Sequence, residues 1–485
     1  MNTGPDDDSH TLTGERLEVV RAAAAYADSW VRLRQRTQRV PGIQVAVAVK
    51  GEVLLSGAHG HARLPGTEGE PDPGEALRAG HLFRIASHSK TFTATAVMQL
   101  VEQGRLRLDD PVGGHLPELA DSTLADRTIG ELLAHGGGVV RDTHDSDFWL
   151  LEAPFPDRES LIAACHDAAD VLPANQQFKY SNIGYGILGL VLESVTGTGY
   201  ADHVIEHVVR PLGLTDTGPE LDPARAGDHV TGYTGLALGE PRLPVDPIRT
   251  GALPAATGFY STAEDLCRYA AAHVLGEPTL LSDATKRRMH RPQWSVPETE
   301  EHYALGFGVH RIGERTMIGH GGGFPGQITR TLVDPQDGLT VVVLTNAIDG
   351  PALGLAEGIV KLVDTALESH HPHHDRPDGP PLATFTGRFA NLWGVADLVD
   401  LGGRLRYLAP DQPDPTATIG TLEVRDADTA RFSQTSGFGL PGELVRWQRE
   451  GEATTSVRLG GSTYLPWEER IAALRSAGRV RAPQL

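Results

Sequence analysis

The segment Phe83 to Gly104, FRIASHSKTFTATAVMQLVEQG, constrains the fold more than any other stretch. From Phe92 to Val101 it is apolar almost all round, so a helix there belongs at the centre of a domain rather than on its surface. Gly104 is a natural stop. Ser87 and Lys90 stand three apart at the amino end, on one helical face, where the helix dipole favours developing negative charge. A serine hydroxyl needs a neighbouring base to attack a carbonyl, and an amine in a partly desolvated pocket can lose its proton and serve as one. The chain carries 38 arginines and five lysines. Surface positive charge is thus supplied by arginine, and Lys90 points to chemistry that a guanidinium, which does not deprotonate, cannot do.

Around this helix the 485 residues divide economically into two domains. A helix over Glu15 to Gln38 opens the first. The strands IQVAVAV (43–49) and EVLLSGA (52–58) flank Lys50-Gly51, a hairpin signature. Residues 59–80 read as a loop, 109–255 as a helical insert, and 303–333 with 339–346 as strands, followed by a helix from Ala352 to Leu367. The expected first domain is 15–368, joined by a His/Pro-rich linker (369–381) to a second (382–485). There, Gly402-Gly403 and Gly460-Gly461 separate short alternating runs, which predicts a small antiparallel barrel.

The net charge of −20, with no long Lys/Arg run, argues against nucleic acid as a partner. Cys165 and Cys267 offer neither a zinc ribbon nor a disulfide framework. The acidic start MNTGPDDDSH lacks the apolar core of a secretory signal, and no run of about 18 apolar residues is present. A soluble, cytoplasmic protein without a membrane partner is the expectation.

Two further motifs join Ser87-x-x-Lys90. Tyr180-Ser181-Asn182 precedes an apolar helix, and His320-Gly321-Gly322-Gly323 lies among strand-like residues. The order S-x-x-K, Y-x-N, H-x-G resembles the serine hydrolases related to class C β-lactamases and penicillin-binding DD-peptidases. The resemblance covers nearly all of 15–368, including LRLDDPV (106–112), TIGELLAH (128–135) and RPLGLTDTG (210–218). It implies an α/β fold, a three-layer sandwich of antiparallel sheet and helices with a helical insert. It also implies roles: Ser87 as acylated nucleophile, Lys90 as its proton acceptor, Tyr180 sharing the acid/base work, and Asn182 orienting the substrate amide or Lys90. The N–H groups of Ser87 and Gly323 would form an oxyanion hole. Gly321, Gly322 and Gly323 have a reason of their own, since residues without side chains let substrate lie against a strand edge.

His320 stands where the β-lactamases of this group carry lysine. A permanent cation is thereby replaced by a group mostly neutral at pH 7. This favours an esterase, D-amino-acid peptidase or amidase, or an acyl transferase, over a β-lactamase. The tail, with LWGVADLVDLGGRL, is similar to the lipocalin-like domains of some such peptidases and of penicillin-binding-type cyclising thioesterases. The expected substrate is a small ester, amide or peptide, with no cofactor and no metal.

Other readings compete. His203-Val204-Ile205-Glu206-His207 fits the H-x-x-E-H pattern of zinc peptidases. However, Val204, Ile205 and Val208 read as the core side of that helix, leaving the histidines solvated. The cluster His370-His371-Pro372-His373-His374 lies in the linker without a scaffold. A catalytically inactive binding protein is the remaining alternative.

Overall fold

A computed structural model describes residues 12–66, 72–167, 170–370, 380–435 and 440–476. It divides the chain into two compact units. One comprises Arg39–Ala356, with the amino-terminal Met1–Leu12; the other comprises Thr13–Gln38 with Glu357–Leu485.

The first unit is built on a nine-stranded sheet. Its strands are β1 (Gly42–Val49), β2 (Glu52–Arg63), β3 (Glu75–Ala76), β4 (Trp294–Ser295), β5 (His302–Tyr303), β6 (Gly308–Ile312), β7 (Arg315–Phe324), β8 (Gln327–Val333) and β9 (Leu339–Thr345). They lie in the order β3-β2-β1-β9-β8-β7-β6-β5-β4, every neighbouring pair antiparallel. β1 and β9, rich in β-branched residues, are buried along their whole length, as strands covered on both faces must be. Lys50 and Gly51 both take positive φ, 48° and 84°, the two-residue turn whose twist suits a hairpin. β2 runs on to Arg63, so its carboxyl half is strand where the sequence predicts loop. The Gly- and His-rich run is held by its partner, Gly60 facing Gly42.

The apolar helix of the opening segment is α1 (Ser89–Glu102), in which eleven of fourteen residues are buried. It ends as expected, with Gly104 at φ 68° and the amide of Arg105 donating to the Leu100 carbonyl. A second apolar helix, α2 (Asn182–Thr196), lies beside it, and both belong to one core with Phe259, Tyr269 and Leu253.

The second unit holds a closed barrel of eight antiparallel strands between Gly387 and Pro466. Gly402-Gly403 and Gly460-Gly461 all take positive φ at its hairpins. Phe385, Leu398, Leu405, Val445, Trp447 and Val457 are among the residues that fill it. The helix Gly14–Thr37, expected in the first domain, groups with the barrel unit. Trp30 donates to the Pro410 carbonyl (3.0 Å) and the Tyr26 hydroxyl to Asp397 (2.8 Å). Most of the expected linker, with His371, His373 and His374, lies outside the described residues. Among the described residues no helix is long and apolar enough to cross a membrane.

Candidate active site

Ser87 lies in a single 3-10 turn, Ala86–His88, that leads into α1. Ala86 takes φ 48°, a conformation few non-glycine residues adopt, and this turns the chain sharply between the strand Phe83–Arg84 and the helix. In the stretch 81–90 every residue except Ser87 is buried. The hydroxyl therefore meets solvent from a rigid floor.

Lys90 follows one turn later and is fully buried. Its Nζ donates to Ser87 Oγ (3.2 Å), to Asn182 Oδ1 (2.7 Å) and to the Ala256 carbonyl (2.8 Å). Burial pushes the amine well below the ordinary lysine range; Asp142 opposes that shift and Arg141 adds to it. The Tyr180 hydroxyl donates to Ser87 Oγ at 2.8 Å, and burial raises its pKa above that of a free phenol. The amine is thus biased toward its neutral form while the phenol keeps its proton.

The Y-x-N motif is a helix start. Ser181 caps α2, its Oγ accepting from the Gly184 amide (2.8 Å) and donating to the Val140 carbonyl (2.6 Å). This leaves Tyr180 just outside the helix and Asn182 at its first position. The Asn182 amide is committed at both ends, Oδ1 to Lys90 and Nδ2 to Asp142 (2.9 Å). Of the two roles the resemblance implies for Asn182, orienting Lys90 is the one these contacts serve.

The third motif lies within β7, opposite β8. A Cβ at Gly322 would come within 2.2 Å of the Ile85 carbonyl oxygen, so only glycine lets the strand lie against the Ser87 turn. Gly323, the next residue, is exposed. His320 is buried and held in one neutral tautomer: Nδ1 donates to the Gly321 carbonyl (2.5 Å) and Nε2 accepts from the Tyr303 hydroxyl (3.1 Å). Burial, with Lys90 nearby, keeps its pKa well below the usual histidine value. The Tyr180 and His320 rings are 6.4 Å apart. The structure thus brings together all seven expected residues, Ser87, Lys90, Tyr180, Asn182, His320, Gly322 and Gly323.

Three contributors were not foreseen. Asp142 anchors Asn182 and also accepts from the Trp149 indole (3.1 Å), yet no motif marks it. Ala256 acts through its backbone carbonyl, which side-chain patterns do not reveal. His135 lies beneath Tyr180, ring centroids 4.3 Å apart, and its Nδ1 accepts the Ser181 amide (3.1 Å). The family resemblance includes its segment TIGELLAH but gives the histidine no role.

The competing zinc motif corrects one expectation. His203 is buried, with its pKa pushed down to about 4, while His207 is exposed and Glu206 pairs with Arg210. The helix is α over Tyr200–Val204 and π over Ile205–Val209, and the His203 and His207 rings do share one face, their centroids 4.4 Å apart, so the corrected point is the burial of His203. Among the described residues no group of three or more His, Cys, Asp or Glu side chains is placed to hold a metal ion.

Known proteins are similar to this chain in sequence and in fold. Penicillin-binding protein 4 of Amycolatopsis lactamdurans is 31% identical over 329 residues, 63% of this chain and 81% of that one. The crystal structure of SurE, a protein also solved with D-Leu, is similar over 93% of this chain and 100% of its own, at TM-score 0.58 and 26% identity. A class C beta-lactamase from Rhodobacter sphaeroides shares the fold, covering 71% of this chain and 99% of its own at TM-score 0.58 and 20% identity. Because the Beta-lactamase family model matches residues 27–362, across the sheet and all three motifs, this chain belongs to that family of serine hydrolases.

Proposed function

We propose that Ser87 forms an acyl-enzyme with an ester or a small peptide amide, which water or an amine then resolves. The observation that carries this reading is the pair of hydrogen bonds on the oxygen of the partly exposed Ser87, from Tyr180 at 2.8 Å and from Lys90 at 3.2 Å. Ser87 Oγ attacks the carbonyl carbon as its proton passes to neutral Lys90. The N–H groups of Ser87 and Gly323 take the oxyanion, each such donor contributing about 3–4 kcal/mol to lowering the barrier. When the intermediate collapses, the bond to the leaving group breaks, and that group takes a proton relayed from Lys90 through Tyr180. The same pair then removes a proton from the incoming water or amine, and Ser87 is released with its own proton restored.

The neutral His320 supports an ester or peptide substrate over a β-lactam, whose carboxylate would find no fixed cation at that strand position. A second reading, transfer of the acyl group to a D-configured amine, is favoured by the likeness to SurE along the barrel as well as the hydrolase unit. Intact-mass analysis across D- and L-amino-acyl esters, amides and β-lactams tests both. An adduct on wild type that is lost in Ser87→Ala supports the nucleophile. Rapid turnover of a chromogenic cephalosporin would overturn the substrate assignment, and product captured by D-leucine in preference to water would select transfer.

A further inference from the structure

His88 directly follows Ser87 and has no part in the proton steps above. It is 2% exposed, and its ring bonds inward at both nitrogens. Nδ1 lies 2.8 Å from the Ile85 carbonyl oxygen and Nε2 lies 3.0 Å from Thr331 Oγ1. A carbonyl can only accept, so the ring proton sits on Nδ1 and Nε2 accepts the Thr331 hydroxyl hydrogen. Burial pushes the pKa of the imidazole down to about 4, so at pH 7 the ring is neutral and held in this tautomer.

The two ends of this ring meet the two chain segments that carry the proposed oxyanion donors. On one side, Ile85 stands two residues before Ser87, and Ala86 between them holds φ 48°. A non-glycine residue keeps such a conformation only where its surroundings fix it. Here the Ile85 carbonyl accepts from Nδ1 and from the His88 amide (3.1 Å), while the Ile85 amide donates to the Phe259 carbonyl (2.9 Å). The Ala86 carbonyl in turn accepts from Ser89 Oγ (2.6 Å). On the other side, Gly322 stands one residue before Gly323, and β8 pairs Thr329 with Gly322 and Thr331 with His320. Thr329 Oγ1 lies 3.3 Å from His88 Nδ1 and donates to the Gly322 carbonyl at 3.4 Å. A Cβ at Gly322 would come within 3.0 Å of Nδ1. The ring is therefore packed between turn and strand and bonded to both. An aliphatic side chain could fill the volume but would make neither bond.

We infer that His88 is a positioning residue for acyl transfer, its ring setting the separation of the Ser87 and Gly323 N–H groups by bonding the turn of one to the strand that pairs with the other. This rests on the acyl-enzyme reading above. The effect belongs to the tetrahedral species, because donors must be placed within about 3 Å of where its oxygen will lie and not of the ground-state carbonyl oxygen.

The test uses p-nitrophenyl acetate as substrate and phenylboronic acid as the reagent that forms a tetrahedral adduct on Ser87. His88→Leu removes both bonds of the ring. Its kcat/KM should fall about a hundred-fold, the scale of one displaced oxyanion donor, and the inhibition constant of phenylboronic acid should rise by a similar factor. That constant does not depend on how much of the enzyme is active, so a merely structural role, which lowers the rate through a smaller folded fraction, would leave it unmoved. His88→Asn places an amide N–H near the position of Nδ1 and should recover about ten-fold in both readouts. Thr331→Val leaves Nε2 without its donor and should cost several-fold alone and nothing further when added to His88→Leu. A His88→Leu enzyme that loses rate but binds phenylboronic acid as wild type does, or that His88→Asn does not improve upon, overturns the positioning role while the acyl-enzyme reading stands. If neither reagent modifies Ser87 in wild type, the acyl-enzyme reading falls and the role of His88 falls with it. Should His88→Leu not fold, a Thr331→Val enzyme with an unaltered inhibition constant overturns the proposal.

Discussion

Two of the five lysines, Lys90 and Lys286, are fully buried, and burial pushes both amines below the ordinary lysine value. Their surroundings differ in kind. Lys286 sits in the short helix Asp283–Met289 and donates to the carbonyls of Val274 (2.7 Å) and Glu277, with Asp283, Glu277 and Glu102 favouring its charge. Those acceptors can use nothing but a proton donor, so this amine ties a loop to a helix. Lys90 directs one hydrogen bond to a carbonyl and one to an amide, and its third contact is the partly exposed Ser87 hydroxyl, toward which a neutral amine can turn its lone pair. Scarcity of lysine and burial of its amine therefore do not mark a catalytic base. What marks it is a partner that can give up a proton.

The sharpest way to break that contrast is Lys90→Met. If the amine accepts the Ser87 proton, the rate of acyl-adduct formation should fall about a thousand-fold or more, measured by intact mass over time, with the fold retained by circular dichroism. An adduct forming at near wild-type rate would move the base elsewhere. Tyr180→Phe removes the second hydrogen bond on Ser87 and the proton path to the leaving group. A loss of about a hundred-fold is expected, larger for amides than for activated esters, because a poor leaving group depends most on protonation.

The reasons the sequence carried so much of the site lie in which groups do the work. Ser87, Lys90, Tyr180 and Asn182 act through side chains at short fixed spacings on helix starts, so the pattern survives in one dimension. The barrel was legible for a similar reason, since the Gly402-Gly403 and Gly460-Gly461 turns impose positive φ on two residues in succession. Ala256 contributes a main-chain oxygen, for which any residue would serve. His135 and Asp142 act only because the chain folds back, His135 bonding an amide 46 positions away. The carboxyl half of β2 was missed because its Gly-His-Gly-His composition is a poor strand former alone and is rescued by pairing with a buried neighbour.

Asp142→Asn probes how Lys90 is tuned. The carboxylate favours the charged amine. In the proposed mechanism Lys90 accepts the proton as a neutral amine, so kcat/KM should rise with pH through its depressed pKa and then level off. Losing the negative charge lowers that pKa further, so the rising limb should move to lower pH while the plateau drops several-fold from looser placement of Asn182. A limb that stays fixed would mean that Asp142 does not act on Lys90 electrostatically.

Lys286→Met should have the smallest effect on chemistry, an adduct rate within about two-fold of wild type, because no hydroxyl or substrate group faces that amine. Its effect belongs to stability. Two carbonyls lose their donor, which costs about 1–3 kcal/mol in denaturant unfolding at neutral pH. The pH dependence gives a second readout. The folded pKa of Lys286 is lowered and the unfolded value is about 10.4, so between the two the unfolded chain binds the extra proton. Across that window stability should increase with pH in wild type, reaching its full value only above the unfolded pKa and falling as pH drops toward the folded one. Lys286→Met and Lys90→Met should each flatten that slope, yet only the second should abolish the adduct. A Lys286 variant that lost the adduct while staying folded would erase the distinction between a structural amine and a catalytic one.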